Sequence, residues 1–338
     1  MQSEKFIKSS DRIFVAGANG MVGQRIYKTL IEKGYGKNEE GGCILTPSRK
    51  ELNLLNYEEV FKWFKNKKPD VVIIAAAKVG GILANSNYPF EFLIENLKIQ
   101  NNLIEISFNF SINRLLFLGS SCIYPKFCKQ PIKEEYLLQG VLEKTNESYA
   151  LAKIAGIKLC EALINQYSFD AISIMPTNLY GPGDNYHPLN SHVLPAMVSK
   201  FYDAKIRGLK KVNCWGTGKP RREFLFVDDL AEASIFVLEN ISVNDETLYD
   251  DSGNFCGVLN VGVGSDISIK ELAKLISSII GFKGEIVWDS SKPDGTPRKL
   301  LDISKLKKLG WTAKTDLEKG IELTLKSYIE GLQTKSVR

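Results

Sequence analysis

Short apolar runs rich in β-branched residues alternate along the chain with longer segments whose apolar positions recur every three or four residues. The runs at 12–16, 43–46, 71–76, 114–118 and 171–175 predict strands, and the segments near 21–34, 56–67, 89–110 and 148–168 predict helices. Such alternation implies right-handed strand-helix-strand crossovers, hence a parallel sheet with helices on both faces. The expected class is α/β, with a Rossmann-type doubly wound sheet in the first half of the chain. The polar, glycine-rich stretch at 36–42 reads as a surface loop between the first helix and the second strand.

The texture changes after Met175-Pro176, where proline, glycine, asparagine and aromatic residues crowd into PTNLYGPGDNYHPLNSHVLP, as binding loops tend to do. A helical pattern at 228–239 and a strand pattern at 257–261 then revisit the first half. The expected division is a nucleotide-binding domain over 1–176 with returning segments about 224–262, and a smaller C-terminal α/β substrate-binding domain over 177–223 and 263–338. No internal repeat and no low-complexity segment interrupts this pattern.

Bulk properties narrow the class. With 338 residues, 44% hydrophobic and 25% charged, the chain can bury a sizeable core. It has no run of about 18 apolar residues. The opening MQSEKFIKSSDR lacks the apolar centre of a secretion signal, so a cytoplasmic location and no membrane partner are expected. The six cysteines, at 43, 122, 128, 160, 214 and 256, contain no C-x-x-C pair, so neither disulfides nor a bound metal is expected. Lysines and arginines are dispersed, which argues against a nucleic-acid partner. The net charge of +5 suits an anionic substrate and cofactor.

Two motifs carry chemistry. The turn Gly17-Ala18-Asn19-Gly20-Met21-Val22-Gly23 stands between the first strand and the first helix. Its glycines permit a tight turn, close backbone approach to a pyrophosphate and close packing of helix on sheet, with the phosphates at the positive helix end. Tyr149 and Lys153 stand four apart in ESYALAKIAGIKLCEAL, on one face of a helix, so an ammonium can lie beside a phenol and favour its ionised form. Of 13 tyrosines only this one has a lysine four residues on, and it follows both the glycine turn and the strand ending in Gly119-Ser120-Ser121-Cys122. A phenol so placed can pass a proton to a carbonyl oxygen. The chain has only two histidines, His187 and His192, both in the loop expected to overhang the substrate.

The segments AAAKVGGILAN, LLFLGSSCIYPK, SYALAKIAGIKLCE, MPTNLYGP, NSHVLPA and SKPDGTPRKLLD resemble the extended short-chain dehydrogenase/reductase family, whose members act on nucleotide sugars. They run from about 13 to 311, so the resemblance covers nearly the whole chain. Within the family they are similar to the GDP-sugar 3,5-epimerase-4-reductases. The resemblance implies GDP-4-keto-6-deoxy-D-mannose as substrate, C3 and C5 epimerisation followed by C4 reduction with NADPH, and GDP-L-fucose as product. It assigns catalysis to Ser120, Cys122, Tyr149, Lys153 and His192. Cys122 and His192 serve as the opposed proton carriers of epimerisation, and Ser120 polarises the carbonyl. The glycine turn, Arg49 at the 2'-phosphate, Lys153, Pro176, Thr177, Asn178, Leu179 and His192 are implied for NADP(H). Asn19 stands where relatives can carry a second arginine, which implies a weaker NADP preference. Lys200, Trp215, Arg222, Asp294 and Lys299 are implied for the GDP-sugar. A homodimer through the helices near 89–110 and 148–168 is also implied.

Three alternatives share parts of this pattern. A UDP-sugar 4-epimerase and a GDP-mannose 4,6-dehydratase both carry the glycine turn and the Tyr-Lys pair. A dehydratase would show Asp-Glu where this chain has Ser121-Cys122, and a 4-epimerase needs neither Cys122 nor His192. A catalytically silent NADP-binding regulator would have no use for the intact Ser120, Cys122, Tyr149 and Lys153.

Overall fold

The computed structural model describes residues 5–187, 191–250, 253, 255–292 and 294–334. Asn190 of the NSHV segment and Pro293 of SKPDGTPRK lie outside the described residues.

From the amino end, β1 (Arg12–Ala16), α1 (Met21–Glu32), β2 (Cys43–Leu45), α2 (Tyr57–Lys67) and β3 (Val71–Ile74) follow one another. Next come α3 (Ile82–Asn87), α4 (Pro89–Asn109), β4 (Arg114–Leu118), α5 (Glu147–Tyr167) and β5 (Ala171–Pro176). The second half opens with β6 (Asn178–Tyr180), α6 (Val193–Ile206), β7 (Lys211–Trp215), β8 (Arg221–Arg222) and β9 (Phe224–Phe226). It continues through α7 (Val227–Asn240), β10 (Val258–Val261), β11 (Ile267–Ser268), α8 (Ile269–Ile280), β12 (Glu285–Asp289) and β13 (Arg298–Lys299). Two helices close the described chain, α9 (Ser304–Lys308) and α10 (Leu317–Thr334).

Six strands form one sheet in the order β2-β1-β3-β4-β5-β10, with every neighbouring pair parallel. The order reverses between β1 and β3, which opens a crevice at the carboxyl ends of these strands where ligands of such sheets bind. Alternation of side chains splits the core in two. Ile13 and Val15 face α1 and α7 with Ile26, Leu30 and Leu230. Phe14 and Ala16 face the other layer with Val60, Phe64, Ile104 and Ile157. Each such aliphatic or aromatic side chain, taken fully out of water, stabilises the fold by about 1.5–3 kcal/mol.

A third core forms away from this sheet. It joins Leu194, Val198 and Phe201 of α6 to Leu272 and Ile276 of α8, with Phe226 and Ile321. Helix α8 begins where Ser268 and Glu271 cap each other's backbone N–H groups, and it ends at Gly281, whose φ of +77° is the left-handed conformation. Around this core lie smaller sheets, β12 with β7, β6 with β9, and β11-β8-β13. The strands of two or three residues among them, and α3, were not anticipated from the pattern, because so few residues have no periodicity to read. The chain then returns to the large sheet. Helix α7 packs on α1, where Arg25 pairs with Asp228, and β10 pairs with β5.

Helix α5 is set by close approach to the sheet. A Cβ at Gly156 would lie 2.6 Å from Phe117 Cζ and 2.9 Å from Gln100 Cδ, so only glycine lets the helix sit this low. Gln100 of α4 donates to Ala152 O at 2.5 Å and fixes the depth. Among the described residues no helix is long and apolar enough to cross a membrane, no acidic, cysteine and histidine cluster could hold a metal, and all six cysteines are free.

Candidate active site

The glycine turn forms a cradle that a side chain would fill. Gly17 has φ +88°, and a Cβ on it would lie 2.7 Å from both the nitrogen and the Cα of Ala76, just past β3. A Cβ on Gly23 would meet Gly17 O at 2.2 Å. Gly20 N donates to Gly17 O at 2.9 Å, and Gly20 caps α1 with no side-chain acceptor, so the first helical N–H groups point to the crevice. Ala18 is buried and Val22 packs on the core below, whereas Met21 is half-buried and Asn19 is exposed. This backbone-lined concavity fits a dinucleotide pyrophosphate. Arg49 is exposed in the loop beyond β2, where Ser48 N donates to Glu51 at 2.7 Å.

Pro176, Thr177, Asn178 and Leu179 run from the carboxyl end of β5 into β6, at the same edge of the sheet as the glycine turn. Thr177 N donates to Val261 O at 3.0 Å, and Asn178 Nδ2 donates to Glu223 O at 2.8 Å.

Strand β4 delivers Ser120 and Cys122 to this edge, and α5 delivers Tyr149 and Lys153 beneath it. The Ser120 hydroxyl caps the short turn at 121–123, accepting from the Cys122 N–H at 3.4 Å, and it lowers the pKa of both the Tyr149 phenol and the Cys122 thiol against their burial. Ser121 is instead buried, so Ser120 is the serine that joins the reactive groups. Phe92 of α4 meets the Tyr149 ring edge to face, with centroids 6.4 Å apart.

Lys153 is only 3% exposed. It donates to Leu118 O at 2.8 Å, and its ammonium lies 4.7 Å from the Phe117 ring centroid and 5.9 Å from that of Tyr149. Burial lowers its pKa to about 8, against the opposing pull of Cys122. The expectation that Lys153 would depress the Tyr149 pKa is not met here. Burial raises the phenol well above its ordinary value, Cys122 raises it further, and Ser120 alone opposes them. The physical reason is that burial, the largest effect on the phenol, disfavours its charged form.

Cys122 is 6% exposed. Burial raises its pKa, and Lys299, Ser120 and Lys153 pull it down in that order. No imidazole is among these groups; the opposing charges are those of the two lysines. His192 occupies the cap position of α6. Its ring is open to water, yet the protein around it lowers its pKa through desolvation. His187 is exposed, and its backbone N–H donates to Asn185 Oδ1 at 2.9 Å.

The five residues implied for the GDP-sugar fall into two groups. Arg222 on β8 and Lys299 on β13 are register partners, and burial lowers the pKa of both. Trp215, Lys200 and Asp294 are exposed. Trp215 is 52% exposed, which excludes the core role its size would suggest, and Lys292 stands 5.8 Å from its ring centroid. Lys200 Nζ donates to Asn213 O at 2.9 Å. Both carboxylate oxygens of Asp294 are taken by Thr217, from its N–H at 2.9 Å and its hydroxyl at 2.6 Å, so this aspartate holds the loop after Trp215.

Sequence reasoning missed Glu143. It accepts from Lys126 Nζ at 2.8 Å and Thr296 Oγ1 at 3.4 Å on one oxygen, and from Thr145 N at 3.3 Å on the other. Arg222 and Lys299 also feel its charge. In the sequence it is one more acid in a polar loop, and only its place between Cys122 and Tyr149 could have drawn attention to it.

Residues 13–250 match the family model described as NAD dependent epimerase/dehydratase family. The chain is 48% identical over 322 residues to GDP-L-fucose synthase of Escherichia coli (strain K12), covering 95% of this chain and 98% of that protein. A GDP-6-OMe-4-keto-L-xylo-heptose reductase from C. jejuni superimposes with a TM-score of 0.88 at 36% identity, covering 96% of this chain and 99% of the other. A GDP-L-fucose synthetase from Naegleria fowleri bound to NADP superimposes with a TM-score of 0.84 at 26% identity, covering 98% of each chain. With its glycine cradle, its Ser120-Tyr149-Lys153 cluster and these matches, the chain belongs to the NAD dependent epimerase/dehydratase family.

Proposed function

We propose that this protein is an NADPH-dependent enzyme that converts GDP-4-keto-6-deoxy-D-mannose to GDP-L-fucose, inverting C3 and C5 before reducing C4. The observation that carries this reading is the meeting of thiol and phenol at the end of β4, where Ser120 caps the turn that bears Cys122 and Lys153, four residues from Tyr149, donates to Leu118 O. A pure reductase needs the phenol; only a base acting on carbon needs the thiol beside it.

The C4 carbonyl acidifies the protons on C3 and C5, so each centre can invert through an enolate. Cys122 withdraws each proton, and His192 returns one from the opposite ring face. Ser120 and Tyr149 hold the oxyanion that forms at C4. Burial, and then Cys122, hold the Tyr149 pKa above its ordinary value, so the phenol carries a proton. That proton is then available when C4 is reduced. The glycine cradle, Arg49 and residues 176–179 would hold NADPH, which would supply the hydride. Lys153 fixes α5 against Leu118 beneath the phenol. Arg222 and Lys299 neutralise the diphosphate, and Trp215 with Lys200 offers a surface to the guanosine.

We further propose that 177–223 and 263–338 form the substrate lobe, and that two copies pair through α4 and α5. Phe90, Leu151 and Tyr167 of these helices are exposed, which supports the pairing. The free cysteines support a cytoplasmic location.

The test follows deuterium uptake at C3 and C5 of GDP-4-keto-6-deoxymannose in heavy water, with and without NADPH, alongside NADPH oxidation. Cys122→Ser should lose about 10²–10⁴-fold in exchange, and Tyr149→Phe should keep exchange while losing reduction by a similar factor. Normal exchange by Cys122→Ser removes that residue from its role. Unaltered protein that neither exchanges nor oxidises NADPH overturns the whole reading.

A further inference from the structure

The thiol of Cys122 rides on the turn at 121–123, and that turn is held at both ends. At its entry Gly119 N donates to Ile174 O at 2.9 Å, and the Ser120 hydroxyl accepts from Cys122 N at 3.4 Å. At its exit Tyr124 returns to extended backbone and is buried, and its hydroxyl donates to Asn260 Oδ1 at 2.6 Å. Asn260 stands on β10 and is fully buried. Its Nδ2 donates to Ile132 O at 2.9 Å and to Asp302 O at 3.1 Å, and its backbone N–H donates to Glu134 Oε1 at 3.0 Å. Both amide hydrogens and the amide oxygen are thus engaged. Turned over, the amide would set its oxygen against two carbonyls that have nothing to donate, so chemistry fixes its orientation.

The two carbonyls belong to segments that pair with each other, since Ile132 N donates to Leu300 O at 2.7 Å and Asp302 N to Ile132 O at 2.8 Å. The stretch at 300–302 continues β13 directly, so Asn260 joins the Cys122 turn to the strand that carries Lys299. Its neighbour Val261 accepts from Thr177 N at 3.0 Å on the cofactor edge. A phenylalanine at 124 would fill the same core with no hydroxyl to satisfy. A buried polar network in its place costs desolvation and returns one defined geometry. The Tyr149 phenol is mounted separately on α5, through Gln100 to Ala152 O at 2.5 Å and Lys153 to Leu118 O at 2.8 Å. We propose that Tyr124 and Asn260 are positioning residues for the epimerising step, their hydrogen bond setting where the Cys122 thiol stands against C3 and C5 of the sugar. The proposal rests on the reading of Cys122 as the base. Proton withdrawal from carbon depends steeply on placement, and a misplacement of about 1 Å costs about 10²-fold.

Tyr124→Phe removes the hydroxyl and keeps the ring in the core. Two rates are compared with those of the unaltered protein: deuterium uptake at C3 and C5 of GDP-4-keto-6-deoxymannose in heavy water, and NADPH oxidation with the ketone already inverted at both carbons. Exchange should fall about tenfold or more beyond any fall in reduction. A role confined to stability lowers both by one factor, through the folded fraction. Asn260→Ser withdraws the acceptor instead and should give the same split; it serves if Tyr124→Phe does not fold. A lesser split overturns the proposal, and so does failure of both variants to fold, which gives the bond to the fold alone. Normal exchange in Tyr124→Phe beside lost exchange in Cys122→Ser removes this inference and leaves the base in place. Normal exchange in Cys122→Ser removes the base itself, so the two failures are distinct.

Discussion

A buried lysine is the costliest residue in this site. Lys153 is held at a pKa of about 8 by desolvation, whereas a free lysine titrates near 10.5. The folded form therefore binds fewer protons than the unfolded form between these values. Its stability contribution is fully present above pH 10.5 and is lost as pH falls towards 8. Lys153→Met should accordingly raise stability near pH 7 by about 1–3 kcal/mol while abolishing reduction, an outcome read from thermal melts at several pH values beside NADPH oxidation. If the variant melts lower at pH 7, the desolvation account is wrong. At this scale the Tyr149-Lys153 spacing was legible because a helix converts four residues of separation into one face. The partners of Cys122 were not. Lys299 bears on its pKa only through the fold, and a thiol's electrostatic neighbours leave no trace in local spacing.

Elements transmit these residues to one place, and α5 does so by depth. Gly156→Ala would push the helix away from Phe117 and Gln100, carrying Tyr149 and Lys153 with it. A loss of about 1–3 kcal/mol in stability is expected, with kcat for reduction lowered and GDP affinity kept, as measured by denaturant melts and calorimetric titration. Gly17→Ala forces a side chain into backbone at Ala76 in a left-handed conformation, so NADPH affinity should fall at least about tenfold in a fluorescence titration. The long strands and helices were readable from apolar periodicity. The β11-β8-β13 sheet was not, because two-residue strands are specified by what ties their ends. Here Glu223 does the tying: it is fully buried and accepts from Val263, Gly264 and Leu301 at 2.6, 2.7 and 3.0 Å.

Taken whole, the molecule gathers three backbone donors of the second half of the chain onto that one carboxylate, while Glu143 joins the first half to the second through Thr296. Glu223→Gln keeps the shape but leaves only one acceptor oxygen for three backbone donors. It should destabilise the chain by about 2–4 kcal/mol and raise KM for the GDP-sugar more than it lowers kcat, since Arg222 and Lys299 are mounted beside it. Kinetics and melts of the same preparation check both. The general layout was legible early because the helical pattern at 228–239 and the strand pattern at 257–261 read as a return to the first half. How the segments interlock was not, since the pairing of β10 with β5 joins stretches separated by the whole first part of the second lobe. That return has a consequence for dissecting the protein. A fragment ending at 176 would leave β5 as a bare sheet margin and strip α7 from the oily flank of α1, so it should clump instead of folding by itself.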